Sequence, residues 1–244
     1  MIPQKTPSTA MILAAGLGTR MKPLTDDRPK AMVQVKGRAL IDHVLDRMVE
    51  AGVARAVVNV HAFADLLEAY LKRRHDIEIV ISDERRQLME TGGGVKQARG
   101  LLGDAPIFVC NIDSVWEEPA GSALKRLAQG FDPARMSARL MLAAMEAQLG
   151  YDGAGDFSLA QDGSVAFRDA RPHVEWAYMG AQIIDPAIID PEPLEPFSFT
   201  RVWRRLAAEQ RLYGAPLGGY WMHVGDPQSR IEAEARLGVA ALSA

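Results

Sequence analysis

Arg20, Lys30 and Asp113 are the residues whose types and settings suit chemistry on a phosphate anhydride. Arg20 lies within the run Leu13-Ala14-Ala15-Gly16-Leu17-Gly18-Thr19-Arg20-Met21-Lys22-Pro23-Leu24-Thr25, and Lys30 follows in Arg28-Pro29-Lys30. Gly16 and Gly18 lack Cβ atoms at the end of a short apolar run over residues 10–15, so backbone N–H groups can approach an anion closely. The two cations supply charge where triphosphate oxygens would lie. An ordinary strand-to-helix turn uses the same glycines, and the loop matches neither a P-loop nor a G-x-G-x-x-G fingerprint. Asp113 follows the apolar run 106–110 in Asn111-Ile112-Asp113. A carboxylate at the mouth of a buried strand is a hard oxygen donor of the kind Mg²⁺ takes, and Mn²⁺ is the alternative ion. Asn111, two residues earlier, lies on the same side of an extended chain.

Composition removes other kinds of chemistry. The chain has 244 residues, 48% hydrophobic and 24% charged, enough to bury a full core. Its net charge of −3 leaves no electrostatic footprint for nucleic acid, and the Arg-Arg pairs at 73–74, 85–86 and 204–205 are too scattered to form a binding stripe. Cys110 is the single cysteine, so no internal disulfide can form. Its place in an apolar run reads as a buried small hydrophobe rather than a nucleophile. No run of about 18 apolar residues exists for a membrane span, and the expectation is a soluble, cytoplasmic protein with no nucleic-acid or membrane partner. Neither length nor composition bears on oligomeric state.

Alternating strand and helix patterns must position these residues. Residues 10–15 read as a strand, 40–51 as a helix ended by Gly52, 54–60 as a strand, 62–74 as a helix and 77–82 as a strand. Thr91 would cap a helix running to residue 99, and residues 106–110 form another buried strand. The predicted class is α/β: a Rossmann-like, mostly parallel mixed sheet flanked by helices, whose ligands gather at the carboxyl ends of the strands. In the second half, residues 157–159 and 165–167 flank a hairpin turn and 176–184 alternate as a long strand, which together read as a small β insert. A proline-rich connection (186–199), a helix (199–209) and a strand (219–224) follow. Asp226-Pro227 then opens a last helix towards Leu242. One domain over 1–244 is the simplest division, with a nucleotide-binding part near 10–115, a sugar-binding part at 116–225 and a terminal helix at 226–244.

The long loop motif with its P-K pair resembles the signature of the sugar-1-phosphate nucleotidyltransferases. The similarity continues through Glu90-Thr91-Gly92-Gly93-Gly94, Asn111-Ile112-Asp113 and Trp221-Met222-His223-Val224-Gly225-Asp226. Within that family the E-T-G-G-G and G-x-G-D-F segments most resemble the bacterial N-acetylmuramate-α-1-phosphate uridylyltransferases of cell-wall recycling. The resemblance implies a GT-A-like fold and substrates that are an NTP, best UTP, and a sugar-1-phosphate. Mannose-1-phosphate guanylyltransferase activity is the alternative within the family, and a catalytically weak nucleotide-sugar sensor the alternative outside it.

It also implies roles. Leu13, Ala14, Ala15, Gly16, Gly18, Thr19, Arg20, Lys30 and Asn111 would hold the nucleotide, Arg20 at the β- and γ-phosphates and Lys30 at the α-phosphate or the attacking phosphate. Glu90, Gly92 and Gly93 would pass the nucleobase. Gly155, Asp156 and Glu175 would contact the sugar. In the family's W-x-D-x-G-T pattern the aspartate is a second metal ligand, and here His223 stands in its place. Three arrangements fit: His223 binds the metal, His223 holds a metal-bound water or phosphate, or Asp226 substitutes.

Overall fold

A computed structural model describes residues 6–240 of the chain. Strand β1 (Thr9–Leu13) leads through the glycine loop and two single-turn 3-10 segments, Thr19–Met21 and Lys30–Met32, to a small hairpin of β2 (Gln34–Val35) and β3 (Arg38–Ala39). Next come α1 (Leu40–Ala51), β4 (Arg55–Val60), α2 (Ala64–Leu71), β5 (Glu78–Asp83), α3 (Glu90–Leu102) and β6 (Ile107–Asn111). Helix α1 buries Leu40, Ile41, Val44, Leu45 and Met48, the apolar stripe of its sequence, and stops where Gly52 takes a φ of 95°. The chain continues through β7 (Ser114–Glu117), α4 (Ala123–Gln129), β8 (Ala138–Ala144), β9 (Gln148–Leu149), β10 (Phe157–Leu159), β11 (Val165–Phe167) and β12 (Trp176–Ile184). After a 3-10 turn at Pro186–Ile189 it ends in α5 (Thr200–Ala208), β13 (Leu212–Pro216), β14 (Tyr220–His223) and α6 (Pro227–Ala240). Leu242, the expected end of the last helix, lies outside the described residues.

The main sheet runs β11-β10-β12-β6-β1-β4-β5, with β8 paired to β12 and β13 to β8. Strands β6, β1, β4 and β5 are parallel, and β12 enters antiparallel to β6. This is the expected mostly parallel mixed sheet flanked by helices. The hairpin forms with Phe157 opposite Phe167, but β10 also pairs with β12, so the β segment extends the main sheet rather than standing apart from it. One correction concerns α3, which starts at Glu90 without a side-chain cap. The Thr91 hydroxyl oxygen instead accepts from the Phe199 N–H at 2.8 Å.

Strand alternation divides the core between the two sheet faces. Ala10 and Ile12 join α1 and α4 on one face, while Met11 joins α3 and α5 on the other. Fully buried side chains the size of Met11 and Ile12 contribute roughly 1.5–3 kcal/mol each. The register sets Leu13 opposite Asn111 and Ile12 opposite Val58. The glycine loop, Asn59 and residues 111–113 therefore gather at one edge, the carboxyl ends of β1, β4 and β6. Among the described residues no helix is long and apolar enough to cross a membrane.

Candidate active site

A cleft of about 380 Å³ opens at that edge, walled by residues 15–20, Lys30, Asn59, Leu88, Glu90, Thr91 and residues 111–113. The loop is held from below by a polar residue in an otherwise apolar strand. Asn59 Oδ1 accepts from the N–H groups of Ala14 (2.6 Å) and Ala15 (3.2 Å), and its Nδ2 donates to Glu84 Oε1 at 2.7 Å. The other carboxylate oxygen of Glu84 accepts from the Met89 N–H at 3.0 Å. Both side chains are buried, and burial of a charge is costly unless it is hydrogen-bonded. Burial pushes the Glu84 carboxyl up, and the Met89 and Asn59 donors only partly offset that.

Because Asn59 occupies the N–H groups of Ala14 and Ala15, these two residues shape the loop rather than offer donors to an anion. The N–H groups of Gly16, Leu17, Gly18 and Thr19 make no hydrogen bond among the described residues. Successive free donors at a bend can form an anion-binding concavity. Gly18 has a φ of 64°, and a Cβ there would sit 3.0 Å from both Lys30 Cβ and Thr25 Cγ2. The Thr25 hydroxyl donates to the Gly18 carbonyl at 2.9 Å and fixes the bend. Arg20 is exposed at the lip of the cleft and makes no ion pair among the described residues.

Lys30 and Asp113 meet on the floor. Lys30 Nζ lies 2.8 Å from Asp113 Oδ2, its side chain only 9% exposed. Burial would raise the Asp113 carboxyl, but the Lys30 charge and the nearby His223 ring outweigh it and hold the group well below the ordinary carboxylate range. The aspartate is therefore ionised throughout the neutral range. His223 Nε2 lies 3.4 Å from the same oxygen, and its Nδ1 lies 3.0 Å from the Gly150 carbonyl oxygen. Asn111 lines the same wall, packed against Gly180.

The remaining candidates divide. Asp226 caps α6: its Oδ1 accepts from the Ser229 N–H at 2.8 Å, and the Asp226 N–H donates back to the Ser229 hydroxyl at 3.1 Å. Those bonds lower its carboxyl, the Ser229 backbone bond most of all. Glu90 lines the cleft with a φ of 60°, whereas Gly92 and Gly93 do not line it. A Cβ on Gly92 would sit 2.3 Å from the Phe197 ring and one on Gly93 2.4 Å from the Glu195 carbonyl oxygen, so the space they leave is filled by the 190–199 strap. Gly155 and Asp156 line a second cavity of about 330 Å³ with Tyr178, Trp203 and Arg204. There the Asp156 carboxylate accepts from the Tyr151 hydroxyl at 2.9 Å and the Tyr178 N–H at 2.8 Å. Glu175 is exposed and lines neither cavity.

Sequence reasoning missed Asn59, Glu84, Tyr178 and Trp203. Asn59 carried a signal, an amide interrupting Ala-Val-Val-Asn-Val. Glu84, in a polar turn, carried none.

Chemically, the cleft offers free backbone donors, an exposed cation at its lip, a buried ammonium and an ionised carboxylate. Such a set can bind and neutralise a polyphosphate without a covalent nucleophile. The model of the nucleotidyl transferase family matches residues 9–151. The chain is 54% identical to the N-acetylmuramate alpha-1-phosphate uridylyltransferase of Caulobacter vibrioides, over 97% of this chain and 99% of that one. It is 33% identical to the protein of the same name from Neisseria meningitidis, over 94% and 98%. Among solved structures, a UDP-glucose pyrophosphorylase from Acinetobacter baumannii superposes with a TM-score of 0.81 at 19% identity, covering 95% of this chain and 93% of that one. With the loop, the buried lysine and the aspartate meeting at the carboxyl edge of a sheet of this kind, the chain belongs to the nucleotidyl transferase family.

Proposed function

We propose that this protein transfers the uridylyl group of UTP to N-acetylmuramate α-1-phosphate, giving the UDP-sugar and pyrophosphate. The observation that carries the reading is the convergence of the four free loop donors, Arg20 and the Lys30–Asp113 pair in one cleft, in a chain aligned almost end to end with two relatives bearing that name. A non-bridging oxygen of the sugar phosphate attacks the α-phosphorus in line. The bond from that phosphorus to the bridging oxygen breaks, and pyrophosphate leaves with the electron pair. No proton needs to move.

The loop N–H groups and Arg20 hold the β- and γ-phosphates and stabilise the charge that accumulates on the leaving group. Lys30, fixed by its bond to Asp113, presents its ammonium where the two phosphates approach and reduces their repulsion. Glu90 and Thr91 border the base, and the second cavity receives the sugar. Asp113 would hold a divalent ion together with triphosphate oxygens. One ionised carboxylate facing a polyphosphate cradle fits Mg²⁺, which usually keeps several waters and takes one or two carboxylates beside substrate phosphates. When bound, such an ion neutralises phosphate charge. The same reading places the protein in the cytoplasm as one catalytic domain acting in cell-wall recycling.

Pyrophosphate release across four NTPs and a panel of sugar-1-phosphates tests the proposal. UTP with N-acetylmuramate α-1-phosphate is expected to give the highest kcat/KM. A higher value for GTP with mannose-1-phosphate would replace the substrate assignment, and tight nucleotide binding without turnover on any pair would indicate a sensor.

A further inference from the structure

The second cavity carries a charge pattern that a neutral sugar does not need. Its acidic group is engaged by the scaffold, since the Asp156 carboxylate accepts from the Tyr151 hydroxyl and the Tyr178 N–H. Its cations keep unused donors. Arg168, half-buried in the cavity wall, donates from Nε to the Gly155 carbonyl oxygen at 3.0 Å and from Nη1 to the Arg171 carbonyl oxygen at 3.0 Å. Both partners are neutral. The guanidinium is therefore fixed in place without an ion pair among the described residues, and its Nη2 makes no hydrogen bond there. Arg204, on the same wall, lies with Cζ 4.4 Å from the centre of the Phe167 ring. It bonds only to Asp169, through Nη1 at 3.2 Å, in a pair whose side chains are 59% and 63% exposed. An ion pair so exposed is worth little and yields to a better-placed anion. Two guanidiniums with free donors on one cavity suit a carboxylate, which the planar fork can bond at two points.

This cavity adjoins the phosphate site. Strand β12 pairs with β6 at Ala181 and Cys110, so Gly180 packs against Asn111 and Tyr178 follows beyond it on the same strand. Tyr178 lines the cavity with Trp203 edge-on to its ring at 4.6 Å, and the indole is held by its own bond to Gln182. These rings offer a wall to the apolar face of a pyranose. A sugar with its C1 phosphate beside Asn111 and Asp113 would turn its far side towards the arginines. N-acetylmuramate carries a lactyl ether on C3, and the carboxylate of that ether is its one anionic group beyond the phosphate. We propose that Arg168, assisted by Arg204, selects an acidic sugar by bonding this carboxylate. The inference rests on the reading of the second cavity as the sugar subsite.

Steady-state kinetics of the full chain with UTP and three sugar phosphates provides the test. The three are N-acetylmuramate α-1-phosphate, its lactyl methyl ester, and N-acetylglucosamine α-1-phosphate, the same sugar without the lactyl group. Wild type is expected to favour the acid over the ester by about thirtyfold in kcat/KM, the worth of a hydrogen bond to a charged group. Arg168→Met should cut that ratio to about threefold, Arg168→Lys should restore part of it, and Arg204→Met should lower it by a smaller factor. A residue that only braces the turn at Gly155 would instead lower kcat/KM for all three sugars together. Ratios in Arg168→Met equal to those of wild type therefore overturn the proposal, and so does a wild type that uses acid and ester equally well. The second comparison needs no variant, so it decides the matter even if Arg168→Met does not fold. Wild type that turns over the two neutral sugars but not the acid refutes this proposal while nucleotidyl transfer stands. Turnover of none of the three overturns the assigned reaction together with it.

Discussion

A Cβ on Gly16 would meet nothing within 4 Å, whereas one on Gly93 would lie 2.4 Å from a backbone carbonyl oxygen and one on Gly94 2.9 Å from both Asn59 and Glu84. The two glycine-rich segments border the same site for different physical reasons. Around Gly16 the missing side chain leaves room for a ligand to reach free N–H groups. At Gly92, Gly93 and Gly94 it leaves room for protein, letting the 190–199 strap and the Asn59–Glu84 pair pack against the start of α3. Asn59 and Glu84 join the segments, holding Ala14 and Ala15 on one side and Met89 on the other. Glycines beside one cleft can thus leave space open to the cleft or only make room for the scaffold behind it.

Substitutions separate these roles. The largest effect is expected at Gly93→Ala, because the clashing atom is backbone and cannot rotate away. It should cost about 3 kcal/mol in urea denaturation, at the upper end for overpacking a tight site. Wild-type stability would show instead that the strap yields. Asn59→Ala comes next, at about 2 kcal/mol, since it leaves the Ala14 and Ala15 N–H groups and Glu84 Oε1 without their partner. It should also weaken UTP binding, because the loop loses its anchor. Calorimetry that shows stability falling with UTP affinity intact would mean the loop is held by other contacts.

Gly16→Ala should do the reverse, keeping stability within about 0.5 kcal/mol while UTP affinity falls about tenfold, near 1.4 kcal/mol. Equal losses in both quantities would erase the distinction between the segments. The smallest effect concerns pH. The folded-state pKa of Glu84 is raised, so the native protein holds the proton more tightly than the unfolded chain. Its contribution should be fully present below the ordinary value of 4.5 and decline as pH rises through the folded value. Denaturation midpoints from pH 4 to 8 should show that decline in wild type and a flatter profile in Glu84→Gln. A wild-type midpoint that rises across this window would contradict the assigned direction.

The legible elements were those whose side chains make one demand. Helix α1 and strands β1, β4 and β6 announce themselves because apolar residues recur at the helix or strand period. Strand β8, Ala-Arg-Leu-Met-Leu-Ala-Ala, has little β-branched character and is extended because β12 and β13 flank it. Strand β13 carries a glycine and a proline and was equally hidden. In the site, Arg20, Lys30 and Asp113 could be named from motif and residue type. Thr91 misled, because its hydroxyl accepts from Phe199, 108 positions away, rather than capping its own helix. Asp226 had two readings in sequence, and the bond from Ser229 shows it capping α6.

By itself the sequence determined the α/β class and picked out the glycine loop and the cations beside it as candidates for an anion site. These follow from local periodicity, from the freedom of glycine and from charge within a short stretch of chain. Only the tertiary structure decided which partners those residues meet. It brought Lys30 to Asp113 across 83 positions and Asn59 beneath Ala14 across 45. It also turned His223 towards Asp113, and filled the space beside Gly92 and Gly93 with a strap from the far half of the chain. Such contacts depend on strand order and register, which arise from packing the whole sheet and are written in no single segment.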